Sequence, residues 1–169
     1  SSGGGSITVD AAAGLTLSAL GDLSSAGGVL TLDAGTGALS MAVDTVVDAG
    51  AGQLSLDAAG LVTLGQIRSS YTGQLIINGG GVKAQADGIA DILAPNANLK
   101  ITTSGGIGTV GNPLEIQVKN MDIWNTDIGT SAIVVEQFGS LDVSQIRQQA
   151  SGALDIRTIS GSMNVLDLG

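Results

Sequence analysis

Short runs of alternating apolar and polar residues fill this chain, and one run returns at a nearly constant interval. It reads Gly, a variable residue, an aliphatic, a polar residue and a second aliphatic. Clear copies are Gly5-Ser-Ile-Thr-Val-Asp10, Gly28-Val-Leu-Thr-Leu-Asp33, Gly52-Gln-Leu-Ser-Leu-Asp57, Gly73-Gln-Leu-Ile-Ile-Asn78 and Ala97-Asn-Leu-Lys-Ile-Thr102. Looser copies follow at Lys119-Asn-Met-Asp-Ile-Trp124, Gly139-Ser-Leu-Asp-Val-Ser144 and Gly161-Ser-Met-Asn-Val-Leu166. The interval from one copy to the next stays close to the same value along the whole chain, as internal repeats require. Alternation with period two is the mark of a strand with one buried face. A strand that recurs at this interval can pair in parallel with its copy about 4.8 Å away. Each repeat then forms one coil of a solenoid.

Two inward ladders follow. The first is Ile7, Leu30, Leu54, Leu75, Leu99, Met121, Leu141 and Met163. The second is Val9, Leu32, Leu56, Ile77, Ile101, Ile123, Val143 and Val165. Every member is apolar. A second phrase lies between these strands: Leu15-Thr-Leu17, Leu39-Ser-Met41, Val62-Thr-Leu64, Ile133-Val-Val135 and Leu154-Asp-Ile156. Shorter aliphatic runs at Val46-Val47, Ile67, Ile89 to Leu93 and Leu114 to Val118 supply a third strand in several coils. Gly, Asn, Asp and Ser collect between the runs, as turns require. The expected fold is all-β: a right-handed parallel β-helix of about eight coils of roughly 22 residues, with two to three short strands per coil. An antiparallel sandwich would explain the alternation but not one phrase returning at a fixed interval.

Composition narrows the picture. The chain holds 27 Gly, 2 Pro, no Cys and no His, and 43% of it is hydrophobic with only Tyr71, Trp124 and Phe138 aromatic. The core is therefore aliphatic. Without Cys and His, zinc and haem lose their usual ligands. The net charge is −9, and no Lys or Arg precedes Arg68. Such a field repels nucleic acid, which is not expected as a partner. No apolar run approaches membrane-spanning length, so membrane insertion is not expected. Ser1 to Gly5 lacks the features of a signal peptide, so any export signal is expected to lie elsewhere or to have been removed.

The Gly-x-Leu-x-Leu-Asp coils and the segment Thr103-Ser-Gly-Gly-Ile-Gly-Thr-Val-Gly-Asn-Pro-Leu-Glu-Ile116 resemble filamentous-haemagglutinin-like giant bacterial exoproteins. In that family a Gly-Gly-Ile-Gly-Thr turn leads through Asn-Pro-Leu into a strand. Here Asn112 and Pro113 fit a turn that launches Leu114, Ile116 and Val118. The resemblance implies secretion, display at the bacterial cell surface and an adhesive or scaffolding role.

Candidate sites are few. Asp10, Asp33 and Asp57 close the repeated phrase in successive coils and would align along one edge, with Asn78 next. Such a row is a weak Ca²⁺ candidate, but an Asx turn at each strand end explains it more simply. Lys100, Asp122 and Asp142 share the outward middle position of the repeat, and two neighbouring carboxylates invite comparison with polysaccharide hydrolases. Thr8, Thr31 and Ser55 stand at the same position, which reads as plainly outward and polar. The three aromatics are scattered over separate coils and form no sugar-stacking platform. Arg147 and Arg157 are expected to balance Asp142 and Asp155. Gly79 to Gly81 is followed by neither Lys-Ser/Thr nor a helix, which rejects a phosphate loop.

No catalytic or cofactor site is expected. Residues 1–169 read as one solenoid segment, structural or adhesive, belonging to a longer repetitive chain or fibre. The expected partners are end-to-end copies or flanking repeats, with host or cell-surface glycans as a further class. A self-assembling extracellular filament, matrix or sheath subunit is the alternative, and a polysaccharide-active β-helix enzyme a minor one. Neither terminus carries a helix or a charged cap: Gly5-Ser-Ile-Thr-Val opens on a coil and Asn164 to Leu168 finishes in one.

Overall fold

The computed structural model describes residues 4–85 and 87–166, and every regular element there is a strand. Asp167 and Leu168, expected to finish the last coil, lie outside the described residues. The first coil carries β1 (Ile7–Asp10), β2 (Leu15–Leu17) and β3 (Leu23–Ser24). The second carries β4 (Leu30–Asp33), β5 (Leu39–Met41) and β6 (Val46–Asp48), and the third β7 (Leu54–Asp57), β8 (Leu61–Thr63) and β9 (Gln66–Arg68). Then come β10 (Gln74–Gly79), β11 (Gly81–Lys83), β12 (Ile92–Thr103), β13 (Leu114–Asn125), β14 (Ile133–Gln137), β15 (Leu141–Gln148), β16 (Leu154–Thr158) and β17 (Met163–Val165). The stack makes about seven turns at a spacing of about 23 residues.

Strands pair in parallel with their counterparts one coil away, and three sides result. The repeated phrase forms the first: β1, β4, β7, β10, β12, β13, β15 and β17. The second phrase forms another through β2, β5, β8 and β11, prolonged by bridges from Val82 to Ile107 and from Ile107 to Ile133. The third stacks Leu23, Val47, Ile67, Ile92 and Ile116. Its next member is Gln137, only 1% exposed, in register with Ile116. The Gln137 amide donates to the carbonyls of Val118 (2.9 Å) and Ser140 (3.1 Å) and accepts from the Val118 N–H (3.3 Å), so this polar group is satisfied inside the core.

One aliphatic core runs through all the coils. Leu30, Leu54, Leu75, Leu99, Met121 and Leu141 are all buried, whereas Ile7 is half-buried and Met163 exposed. Burial thus follows the number of neighbouring coils. The glycine that opens the phrase acts by close approach. A Cβ on Gly52 would sit 2.0 Å from the Gly28 carbonyl oxygen, and one on Gly28 would sit 2.3 Å from that of Gly5. At these two coils only a residue without a side chain lets the backbones stack at strand spacing, whereas later coils admit Ala97 and Lys119 at the same position of the phrase.

Two expectations are corrected. Met121 is in register with Val143, not Leu141, and Ile123 with Ile146, not Val143. Ser144 is the extra residue of a bulge between Asp142 and Gln145, and its hydroxyl bonds the Asn120 amide at 2.6 and 2.9 Å. The slip is two positions, one full strand period, up to Val143, which leaves Leu141 and Val143 inward and buried; beyond the bulge it is three, and Ile146, absent from the expected ladder, becomes the half-buried partner of Ile123. Ile89, read as part of a third strand, is 44% exposed on the connection before β12. The Asn112-Pro113 turn is present as an outward excursion. The Thr109 N–H donates to the Asn112 carbonyl at 2.8 Å, the Asn112 N–H returns at 3.1 Å, and Val110 stands 75% exposed at the tip.

Candidate functional site

Outward residues of the first side form straight rows because the strands are in register. Asp10, Asp33 and Asp57 are stacked as expected, and Asn78 follows. The carboxylates of Asp33 and Asp57 serve the backbone and the next coil. Asp33 Oδ1 accepts the Gly35 N–H at 2.7 Å, the Asx turn foreseen for this position. Asp48 does the same for Gly50 at 2.8 Å on the third side. Asp57 Oδ2 accepts from the Asn78 amide at 3.0 Å. A shallow hollow of about 330 Å³ beside this row is lined by Asp57, Asn78, Thr102, Ser104 and Thr126. It offers one carboxylate, too few for a cation that wants six to eight oxygens. Among the described residues no three acidic side chains converge as metal ligands.

Lys100 and Asp122 are adjacent in register, but Asp142 is not the next member. The bulge sets Gln145 beside Asp122, and Asp142 lies between Asn120 and Asn164, whose amide donates to its Oδ1 at 3.3 Å. Asp122 and Asp142 are therefore not side by side in register. Trp124 stands 42% exposed between Thr102 and Arg147 on the first side. Tyr71 lies at a corner against Gly73, and Phe138 at another corner, so the three rings share no surface. Arg157 bridges Glu136 (3.4 Å) and Asp155 (3.2 Å), as expected for Asp155. Arg147 does not engage Asp142; its guanidinium faces the Gln145 side-chain amide, whose oxygen accepts at 3.0 and 3.1 Å in the amide orientation that satisfies both groups. Gly79 to Gly81 packs against the coils on either side, close to the backbone of Gly60 and Gly106.

Sequence reasoning missed the most unusual polar group. Asp91 immediately precedes β12 and is fully buried, beside Gln66 of the coil before and Glu115 of the coil after. Its Oδ2 accepts the Glu115 N–H at 2.8 Å, while its buried Oδ1 makes no hydrogen bond of good geometry, although the Gln85 backbone N–H lies near the carboxyl. Glu115 is itself in register with Glu136, and Glu136 with Arg157. Burial, then repulsion from Glu115 and Asp87, pushes the Asp91 carboxyl up to about 7, against backbone hydrogen bonds that lower it. Glu115 is raised too, by burial and then by Glu136 and Asp87. Asp127 is lowered, chiefly by the Ser131 hydroxyl and the Gly129 N–H. The signal for the acidic row was present: Asp91, Glu115 and Glu136 follow one another at the coil interval.

Comparison with protein-family models, with curated proteins and with solved structures finds no match.

Proposed function

We propose that this chain is a structural rod, a stalk segment of a larger fibrous protein at a bacterial cell surface. The observation that supports it is the uninterrupted aliphatic core and parallel ladder through about seven turns. Side chains that face outward mostly serve turns, strand ends and neighbouring coils. The likeness of Thr103 to Ile116 to filamentous-haemagglutinin-like exoproteins supplies the extracellular and adhesive part of the reading.

A second reading, a filament subunit that stacks end to end, draws on the outermost described coils. Met163 and Val165 are 37% and 47% exposed, although their counterparts Leu141 and Val143 are buried. Open strand edges and uncovered aliphatics favour docking of a further coil, from the same chain or from a copy. Contact between one end and the other is heterologous and propagates into a fibre. Intact mass of the protein from its native source, with electron microscopy of the purified 169-residue polypeptide at rising concentration, separates the readings. A native mass far above 16.6 kDa supports the stalk. A native mass of that size with unbranched fibres supports the subunit. A native 16.6 kDa monomer that never associates defeats both.

A further inference from the structure

We propose that the junction between the β12 and β13 coils is a proton-operated clasp, closed while Asp91 carries a proton and loosened when that proton leaves to water. The proposal goes beyond the rod reading and does not depend on it. It stands first on placement. Asp91 is wholly buried, and one carboxylate oxygen is spent on the Glu115 N–H. The backbones lock around it: the Asp91 N–H donates to the Glu115 carbonyl at 2.8 Å, and the Ile67 N–H donates to the Asp91 carbonyl at 2.7 Å. Asp91 therefore ties three successive coils together. Its other oxygen is buried without a hydrogen bond of good geometry among the described residues, the Gln85 backbone N–H near the carboxyl compensating it only in part. A neutral acid is tolerated in such a place, whereas an anion there lacks both water and a counter-charge.

Among the described residues, the groups that face Asp91 from each side supply no cation. On β9 the neighbour is Gln66, whose amide donates to the Ala90 carbonyl at 3.1 Å and whose oxygen accepts from Arg68. The Arg68 side chain is thus turned to Gln66 on an exposed position. The connection before β12 contributes Asp87, and β13 contributes Glu115, with Glu136 of β14 one coil further on. Arg157 of β16 pairs with Glu136 and Asp155, not with Asp91. Acids thus surround the buried acid, and the same burial and repulsion that lift its titration towards neutrality act on Glu115 in the same direction. The connection over Asp91 is the part able to yield. Gly88 has φ +73°, Ile89 is 44% exposed, and the Ile89 N–H bonds the Asp87 side chain at 3.1 Å on the surface. Ionisation of Asp91 would draw water to its buried oxygen, and this connection would open to admit it.

Hydrogen exchange read by mass spectrometry on the whole polypeptide tests the clasp. Peptides covering residues 87–93 and 114–116 would be compared at about pH 5 and about pH 8.5, on either side of the titration, after correction for intrinsic exchange. The expected result is a loss of protection of roughly tenfold or more at the higher pH in these peptides, with the β4–β7 strands unchanged. Asp91→Asn keeps the shape and an acceptor for the Glu115 N–H but cannot ionise, so most of the pH response should disappear, leaving only that of Glu115. Equal protection of the wild type at both values, or a full pH response in Asp91→Asn, overturns the proposal. Carbon NMR of the aspartate carboxyls in the wild type reads the group without any substitution. An Asp91 that titrates in the ordinary carboxylate range overturns it as well.

Discussion

Substituting Ala for Gly52 adds one methyl group at the place where successive coils come closest. The new Cβ would lie 2.0 Å from the Gly28 carbonyl oxygen and 2.9 Å from the Gly27 carbonyl carbon, both backbone atoms. Ordinary contact begins at 3.4 Å, so the coils must part by about 1.4 Å at this corner (3.4 less 2.0). The Leu30 N–H to Gln53 carbonyl bond beside it is 2.9 Å long, and a separation of that size breaks it. The Gly52 N–H to Ala49 bond, also 2.9 Å, is strained in the same movement. Two backbone bonds at about 1 kcal/mol each, with loosened packing around the wholly buried Leu30 and Leu54, amount to roughly 2–4 kcal/mol. Alanine stiffens the unfolded chain and returns about 0.4–1 kcal/mol. The net expected loss is about 2–3 kcal/mol, seen as a urea midpoint lowered by about 1 M or more. Gly111→Ala is the control, since a Cβ there meets nothing within 4 Å. A Gly52→Ala protein within about 0.5 kcal/mol of wild type would refute the claim that this glycine is set by close approach rather than by turn conformation.

Leu54→Asp places an unpaired charge at a site with no exposure and should abolish the cooperative melt followed by far-ultraviolet circular dichroism, while Ser55→Ala, one residue away and half-exposed, should change little. Stability should also fall as pH rises. Below about pH 4 folded and unfolded chains both hold the Asp91 proton; from there to about pH 7 only the folded chain does, and above that neither does. The loss grows through that window to about 4 kcal/mol and then levels off, and denaturant titrations should show a much steeper slope in wild type than in Asp91→Asn, which keeps only the contribution of Glu115. Incubation with acidic and neutral polysaccharides should release no reducing ends, and release that disappeared in Asp142→Asn would contradict the placement of Asp142 away from Asp122.

The strands, their parallel pairing and their buried faces were legible because each rests on a local rule that every coil repeats. Leu30, Leu54 and Leu75 could be assigned inward from alternation alone, and no partner had to be known. Register is a different kind of quantity. It depends on how much chain each coil spends at its corners, and the phrase copies measure that only while the corners stay alike. Between Lys119 and Gly139 the phrases stand closer together than anywhere else in the chain. There the match of phrases misplaced β15 by two positions, and the bulge at Ser144 then shifted it by one more. Because two positions make one full strand period, the error left no trace in the apolar pattern. It changed the outward neighbours, parting Asp122 from Asp142 in register, and the bulge brought Ile146 rather than Val143 beside Ile123 within the core.

The row through Asp91 shows the converse blindness. Acidic residues were sought where they repeat beside the clearest phrase, and there Asp33 turned out to hold a turn and Asp57 a neighbouring amide. Asp91 and Glu115 sit instead inside the short aliphatic runs Ile89 to Leu93 and Leu114 to Val118, and Glu136 directly follows Ile133 to Val135. What gives Asp91 its character is not its own coil but the coils on both sides, which remove its water and present Glu115 and Gln66 rather than a base. In a stacked fold, the environment of any residue is assembled from positions one coil interval before and after it. A carboxylate whose two such neighbours are uncharged or acidic, at a position that the adjoining aliphatics bury, is therefore a candidate for a shifted titration. Applied along the acids of this side, that rule returns Asp91 and Glu115 and passes over Glu136, whose neighbour one coil on is Arg157.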